Sequence, residues 1–294
     1  MTPRVLSYGG GLDSFAMLVE AIRRGDRPDV VVFVDVGHPD DPGEWPGTYR
    51  HVREVAMPLC AREGIEFVTI DSTNYPVRDA RSLFAWLEAR HQIPVAGPNR
   101  ICTTVAKVER FERWAADRFG VGAALEVWIG FEAGEEARAA KDPNAGSGGK
   151  AKKGGIARTN RFPLMDWGMC RCRCEAAVRA AGYPVPRKSA CTFCPYGTKG
   201  DWQTLARELP ETFARVAKLE ADKPPTAKNG IKLSIMGFRS IKRPDGTKTH
   251  KAPPLPTFIA GTYKPKAHPC AVCGAAERAT KAMGCGYVAE GVSA

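Results

Sequence analysis

Two sets of residues in this chain have the types and spacing that do chemistry. The first is a glycine run. Gly9, Gly10 and Gly11 stand between a short apolar stretch and the pair Asp13-Ser14, in the order VLSYGGGLDS over residues 5–14. Glycine takes backbone angles that a Cβ forbids and lets an anion approach the main chain closely. Leu12, Phe15, Met17, Leu18, Ala21 and Ile22 then recur at helical spacing, so Asp13 and Ser14 fall in a first helical turn. Unpaired N–H groups and a positive dipole end at that terminus attract phosphate. Two common phosphate loops do not fit. No lysine follows the glycines as Gly-Lys-Ser/Thr requires, and G-x-G-x-x-G needs glycine where Ser14 stands.

The second set is the cysteines, ten in all. Cys191 and Cys194 form one CxxC pair, Cys270 and Cys273 another, and Cys170, Cys172 and Cys174 alternate along a segment that reads as the start of a helix. In a chain without a secretion pattern, such pairs point to metal or redox chemistry before disulfides. Cys60, alone in the helical stretch MPLCAREG, reads as a buried small hydrophobe. His268, Cys270, Cys273 and Cys285 make a zinc-ligand set that would fold a tail poor in core residues.

The elements that must position these residues alternate. Residues 29–36, DVVVFVDV, are β-branched and apolar, as a strand buried on both faces requires. Asp35 lies near the carboxyl end of that strand, the ligand edge of an open parallel sheet, where it is placed to hold ribose or adenine groups. Residues 49–63 read as helix, 65–70 as strand, 82–91 as helix, 99–120 as a segment that opens on a basic residue and a cysteine and continues as an amphipathic helix, and 125–130 as a fourth strand. Strand-helix alternation predicts a doubly wound α/β fold with a mainly parallel sheet. Residues 142–155 read as a Gly/Lys-rich mobile loop, and 204–220 as helix broken at Pro210. Short strands are expected near 231–238 and 257–263. The domain organisation expected is 1–140 for nucleotide binding, 141–222 for a basic loop and cysteine-rich region packed on it, and 223–294 for a basic, Pro-rich extension.

Four segments in order resemble the PP-loop ATP pyrophosphatases and adenylylsulfate-reductase-like proteins, a Rossmann-like family. Gly9-Gly10-Gly11-Leu12-Asp13-Ser14 is similar to the SGGxDS loop, with Gly9 in place of the first serine. Arg100-Ile-Cys102-Thr-Thr-Val-Ala-Lys107 resembles the family's Arg-x-Cys-Thr-x-x-x-Lys, and the stretch from Ile129-Gly130 to Arg138 resembles its strand exit. FPLMDWG at 162–168 and SACTFCPY at 189–196 resemble its late core and CxxCP motif. The resemblance implies ATP over the carboxyl edge of the sheet. Ser7, the loop amides from Gly9 to Gly11, Asp13 and Ser14 would lie at the phosphates, Asp13 would help place Mg²⁺, and Asp35 would meet the nucleoside. Gly130 would line the nucleotide site, and Arg100, Lys107 and Arg138 would offset phosphate charge. In the iron–sulfur members a 4Fe-4S cluster is held by cysteines at positions matching Cys102, Cys191 and Cys194. Cys174 is the fourth ligand expected, with Cys170 and Cys172 near enough to compete, and an open fourth position is also consistent with such clusters.

Charge selects among the activities of that family. The formal net charge is +11, and residues 223–266 hold ten Lys/Arg against Asp245 alone. Residues 141–161 hold six more against Asp142. Such density suits a polyanion, because each phosphate contact releases counterions. The expectation is an ATP- and cluster-dependent sulfurtransferase that modifies DNA or tRNA, with a sulfur donor such as a cysteine desulfurase as partner and a homodimer as an allowed state. A sulfonucleotide reductase using Cys285, and a zinc-bearing nucleic-acid-binding protein with a degenerate nucleotide site, are the alternatives. No run of eighteen apolar residues and no signal-peptide pattern occurs, so a soluble, cytoplasmic protein is expected.

Overall fold

The computed structural model describes residues 2–94, 101–146, 154–222, 235, 240–242, 248–250, 254–262, 268–270, 272 and 276–277. Strands β1 (Arg4–Tyr8), β2 (Val30–Val34), β3 (Glu66–Ile70), β4 (Ala124–Trp128) and β5 (Ala157–Arg161) form one parallel sheet in the order β3-β2-β1-β4-β5. The chain steps outward from β1 to β3, then returns to the other side of β1 for β4 and β5. The strand order therefore reverses between β1 and β4, and ligands of such sheets bind outside the carboxyl ends at that point. The expected doubly wound fold is what the chain forms.

Alternate residues of each strand face opposite layers, as the period of two demands. Leu6, Tyr8, Val31 and Phe33 pack against α1 (Leu12–Arg24), α3 (Met57–Arg62) and α9 (Arg171–Ala180), with Phe15, Met17 and Leu18 at the centre. Val5, Val30, Val32, Leu125 and Val127 pack on the other face against Phe111 and Trp114 of α6 (Glu109–Phe119). Both layers are nearly dry, and each fully buried Phe or Leu contributes about 1.5–3 kcal/mol. A second core lies apart from these layers. It gathers Trp86 of α4 (Leu83–Ala89), Phe193, Trp202 and Leu205 of α10 (Lys199–Glu208), and Val216 and Leu219 of α11 (Pro210–Asp222). α2 (Pro46–His51) runs through a π-helical turn, Val52–Ala56, into α3, so the expected single helix over 49–63 is continuous in space.

Three features differ from the sequence reading. β5 was not expected. Its sequence ARTNR has no apolar run, and it sits at the sheet edge with only Asn160 buried. Asp142 to Gly146, read as part of a loose loop, is fastened to that strand: Asn160 donates through its main chain to Asn144 O (2.7 Å) and through its side chain to Asp142 Oδ2 (2.8 Å). The strand expected over 257–263 is instead α12 (Leu255–Ile259), because Pro256 presets a helical φ and Leu255 and Phe258, three apart, both reach the second core. The strand expected near 231–238 lies outside the described residues except for Ile235, which is buried in that core. Buried Glu220 accepts main-chain N–H bonds from Ile235 (3.0 Å) and Leu255 (2.5 Å), which joins part of the basic extension to α11. Among the described residues no helix is long and apolar enough to cross a membrane.

Candidate active site

The glycine loop is enclosed by three segments from distant parts of the chain. Gly10 has φ +73°, and a Cβ there would lie 2.6 Å from Thr48 Cγ2 on α2. A Cβ on Gly11 would lie 2.8 Å from the main-chain nitrogen of Ser189, and one on Gly9 would lie 3.3 Å from Ser189 Oγ. A Cβ on Gly130, at the exit of β4, would meet Ser14 N at 3.2 Å. Gly10, Gly11 and Gly130 are therefore needed as much for close approach of Thr48, Ser189 and β4 as for turning. Ser14 Oγ accepts from Gly9 N and donates to Gly11 O, both at 3.1 Å, which fixes the loop's shape. Gly11 is the N-cap of α1 and brings no side-chain cap, so the helix presents its positive end to whatever sits in the loop. Asp13, in the first turn, is 3.4 Å from Arg171 Nη1, which is largely buried at the start of α9. Ser7 lies on β1, paired in register with Val32.

Asp35 follows β2 at the same edge and is 9% exposed. Its Oδ1 accepts from Gly37 N and from Tyr49 OH, each at 2.8 Å, while Tyr49 OH accepts from the main chain of Gly43 and Glu44. Burial raises the Asp35 carboxyl above its usual range, against the lowering by those two hydrogen bonds and the charges of Arg110 and Lys107. Arg110 is fully buried and donates to Asp35 O, Tyr75 O (2.6 Å), Ala106 O (3.1 Å) and Ile70 O (3.4 Å). One guanidinium thus ties α6 to the carboxyl ends of β2 and β3, and burial brings it down to about 10.

The CxxC segment joins this edge through the main chain. Glu44 and Cys191 form a bridge, and Thr192 N donates to Gly43 O at 2.8 Å. Lys107 Nζ is 3.3 Å from Glu44 Oε1; the Glu44 side chain is fully buried and its Oε2 has no hydrogen-bond partner. Burial, reinforced by the Asp35 charge, raises Glu44 against the pull of Lys107. Burial disfavours the Lys107 ammonium, yet the negative field of Glu44, Cys191 and Asp35 prevails and raises it. Cys191 donates a hydrogen bond to Cys194. That bond and burial raise Cys191 well above the usual thiol range, whereas the same bond, with Tyr196 N–H, Lys188 and Lys107, brings Cys194 down to about 7 against its own burial. Cys102, in the short helix α5 (Ile101–Thr103), packs with Cys191 against the second core. Arg187 stacks at 3.7 Å over Trp45, and both line a cleft with Lys188, Cys191, Cys194 and Trp202.

The structure brings together most of the residues singled out in the sequence, but not all. Ser7, Gly9, Gly10, Gly11, Asp13, Ser14, Asp35, Lys107 and Gly130 share the carboxyl edge. Cys102 and Cys191 border the second core, and Cys194 lines the cleft with Cys191 and Trp202. Cys174 is fully buried in the first core, where burial raises its thiol, with Asp13, Glu132 and Cys170 nearby. Arg138, on α7 (Glu136–Ala139), pairs with Glu135 at 2.9 Å and lies 4.1 Å over the Phe131 ring on the exit of β4. Arg100, Cys273, Cys285 and the side chain of His268 lie outside the described residues. Cys60 is buried as expected, which pushes its thiol up to about 12. Among the described residues, one group of three metal-ligand atoms lies mutually within 4.8 Å: the sulfurs of Cys170, Cys172 and Cys270.

Five participants were missed in the sequence: Glu44, Tyr49, Arg110, Arg171 and Ser189. Arg110 had a signal, since it falls midway between Ala106 and Trp114 at four-residue steps on the apolar stripe of its helix. Ser189 opened a segment already noted for its cysteines. Glu44, Tyr49 and Arg171 had none, because their partners are set by tertiary contact.

No model of a known protein family matches the sequence, and no curated protein matches it. Among solved structures, the U34-tRNA thiolase NcsA from Methanococcus maripaludis, determined with its [4Fe-4S] cluster, superposes at a TM-score of 0.38. The identity is 14%, over 77% of this chain and 74% of that one. The fold of the present chain stands on its own strand order.

Proposed function

We propose that this chain is an ATP-dependent sulfurtransferase of the PP-loop kind that adenylates an oxygen of DNA or tRNA and replaces it with sulfur. The observation that carries the reading is the seat of Ser189 against Gly9 and Gly11, two residues before Cys191. The glycine loop and a cysteine pair with one acidic thiol are thereby held as neighbours. Adenylation and sulfur transfer need that proximity, because the activated oxygen must meet sulfur before water.

In the first step the nucleic-acid oxygen attacks the α-phosphate of ATP and pyrophosphate leaves. The α1 terminus and Ser14 would hold the phosphates, Asp13 would hold a Mg²⁺ ion that screens their charge, and Arg171 sets the Asp13 carboxylate. Asp35 receives the nucleoside, and Lys107 and Arg138, with Arg100 from the neighbouring motif, offset the developing charge. In the second step sulfur bonds to the atom that bore the oxygen, and AMP departs with that oxygen. Cys102, Cys191 and Cys194 are the three thiolates that would hold a 4Fe-4S cluster, for which a soft, partly buried donor set beside a lysine is suited. When bound, such a cluster supplies the sulfur-handling chemistry. A cysteine desulfurase or similar protein is the proposed source of sulfur, and the basic stretches are the proposed nucleic-acid contacts.

The test combines two measurements. Anaerobically purified protein is expected to absorb broadly near about 400 nm from iron–sulfur charge transfer. Mass spectrometry of nucleic acid from cells carrying the wild-type chain should show a sulfur-containing nucleotide that is absent with Asp13→Ala or Cys191→Ala. Colourless protein together with unchanged nucleotides would overturn the proposal.

A further inference from the structure

We infer that Cys170, Cys172 and Cys270 are ligands of a single zinc ion that staples the C-terminal extension to the start of α9. This site is separate from Cys102, Cys191 and Cys194, and the inference holds whichever reaction the chain performs.

The geometry selects one ion. With Zn–S bonds near 2.3 Å, the sulfurs of a tetrahedral site stand about 3.8 Å apart. The three sulfurs here lie mutually within 4.8 Å, so closing on an ion requires a contraction of at most about 1 Å. A cubane cluster holds its ligand sulfurs wider than this, because each binds a different iron. Three thiolates are a soft donor set, which suits zinc and excludes magnesium or calcium.

The placement is also what a staple needs. Cys170 is the N-cap of α9, and Cys170 and Cys172 are buried while Cys270, a hundred residues later, is half-buried against them. Val272 follows onto the turn after β4, where a Cβ on Gly134 would lie 3.2 Å from it. Cys170 and Cys172 flank Arg171, the partner of Asp13, so the ion would fix the turn that presents Arg171 to the glycine loop.

Cys172 is in a disulfide in this structure, which makes ion and disulfide alternatives at one sulfur. Two electrons and two protons from a dithiol reductant convert that disulfide to two thiols, the reductant becoming a disulfide in turn. Zinc then binds the thiolates as their protons leave.

The full chain, purified under reducing conditions, should contain about one zinc by mass spectrometry of the metal, since thiolate sites of this kind bind tightly. The Cys170→Ser/Cys172→Ser double variant and Cys270→Ser should each lose it, whereas Cys60→Ser and Cys191→Ser should keep it. Should a variant fail to fold, two measurements on the wild-type chain decide. Cobalt added to the zinc-free protein should give the visible bands of a tetrahedral thiolate site, and a thiol oxidant should release the zinc. Zinc retained by the folded double variant, zinc lost with Cys191→Ser, or reduced wild-type protein that takes up neither zinc nor cobalt would overturn the inference.

Discussion

Cys191 and Cys194 share one hydrogen bond and differ in acidity. The bond favours the Cys194 thiolate, as do Tyr196 N–H, Lys188 and Lys107, and these overcome burial to bring Cys194 down to about 7. Cys191, the donor, is raised by the same bond. The pair therefore loses its first proton chiefly from Cys194. Below pH 7 the thiol predominates and is a poor nucleophile; above it the thiolate does. Iodoacetamide labelling of metal-free protein, followed at Cys194 by peptide mass spectrometry, should rise about tenfold per pH unit up to about 7 and then level off. Cys60, pushed up to about 12 in the core, should stay unlabelled throughout. Lys107→Ala should move the Cys194 midpoint upward; a midpoint unchanged from that of an ordinary thiol in the wild type would refute the assignment.

At the scale of elements, the glycine loop separates two uses of glycine. Gly10 needs its positive φ, and any Cβ there meets Thr48 of α2. Gly10→Ala should cost at least about 1–2 kcal/mol for the left-handed conformation alone, measured as a lowered urea midpoint at unchanged slope. At Gly9 an added Cβ meets only the rotatable Ser189 and Ser14 hydroxyls, at 3.3 and 3.9 Å. Gly9→Ser should stay within about 0.5 kcal/mol of wild type and, if the loop acts as proposed, leave ATP cleavage intact. A larger loss at Gly9 than at Gly10 would contradict this account. The loop and β2 were legible in the sequence because a glycine run before a helical stripe and five β-branched or aromatic residues in a row each admit few structures. β5 was not, since ARTNR has no apolar run and is held at the edge by main-chain bonds to β4. Nor was the meeting of Cys270 with Cys170 and Cys172, for no spacing rule connects segments so far apart.

At the scale of the whole molecule, two cores and an uneven charge define the plan. The sheet layers carry the edge that bears the glycine loop, and the second core holds Cys191 and receives part of the basic extension through Glu220. Most of the positive charge of residues 141–153 and 223–266 belongs to residues outside those described. If these stretches contact nucleic acid, log affinity for duplex DNA should fall linearly with log salt. The slope should lessen by about 0.9 for each phosphate-contacting lysine replaced by alanine. Binding indifferent to salt would remove the stretches from the interface.

The strand order also has a consequence in time. Arg4 of β1 pairs with Glu126 of β4, and Gly11 packs against Ser189. During synthesis β1 and its glycine loop emerge before β4 and the SACTFC segment are made. Parallel pairings between such distant segments form slowly, because the intervening chain must first be closed into a loop. A segment that leaves the ribosome before its partners is thus completed only when they arrive. The packed form of the glycine loop is gained only after translation has passed Ser189 and reached the cysteine pair beside it.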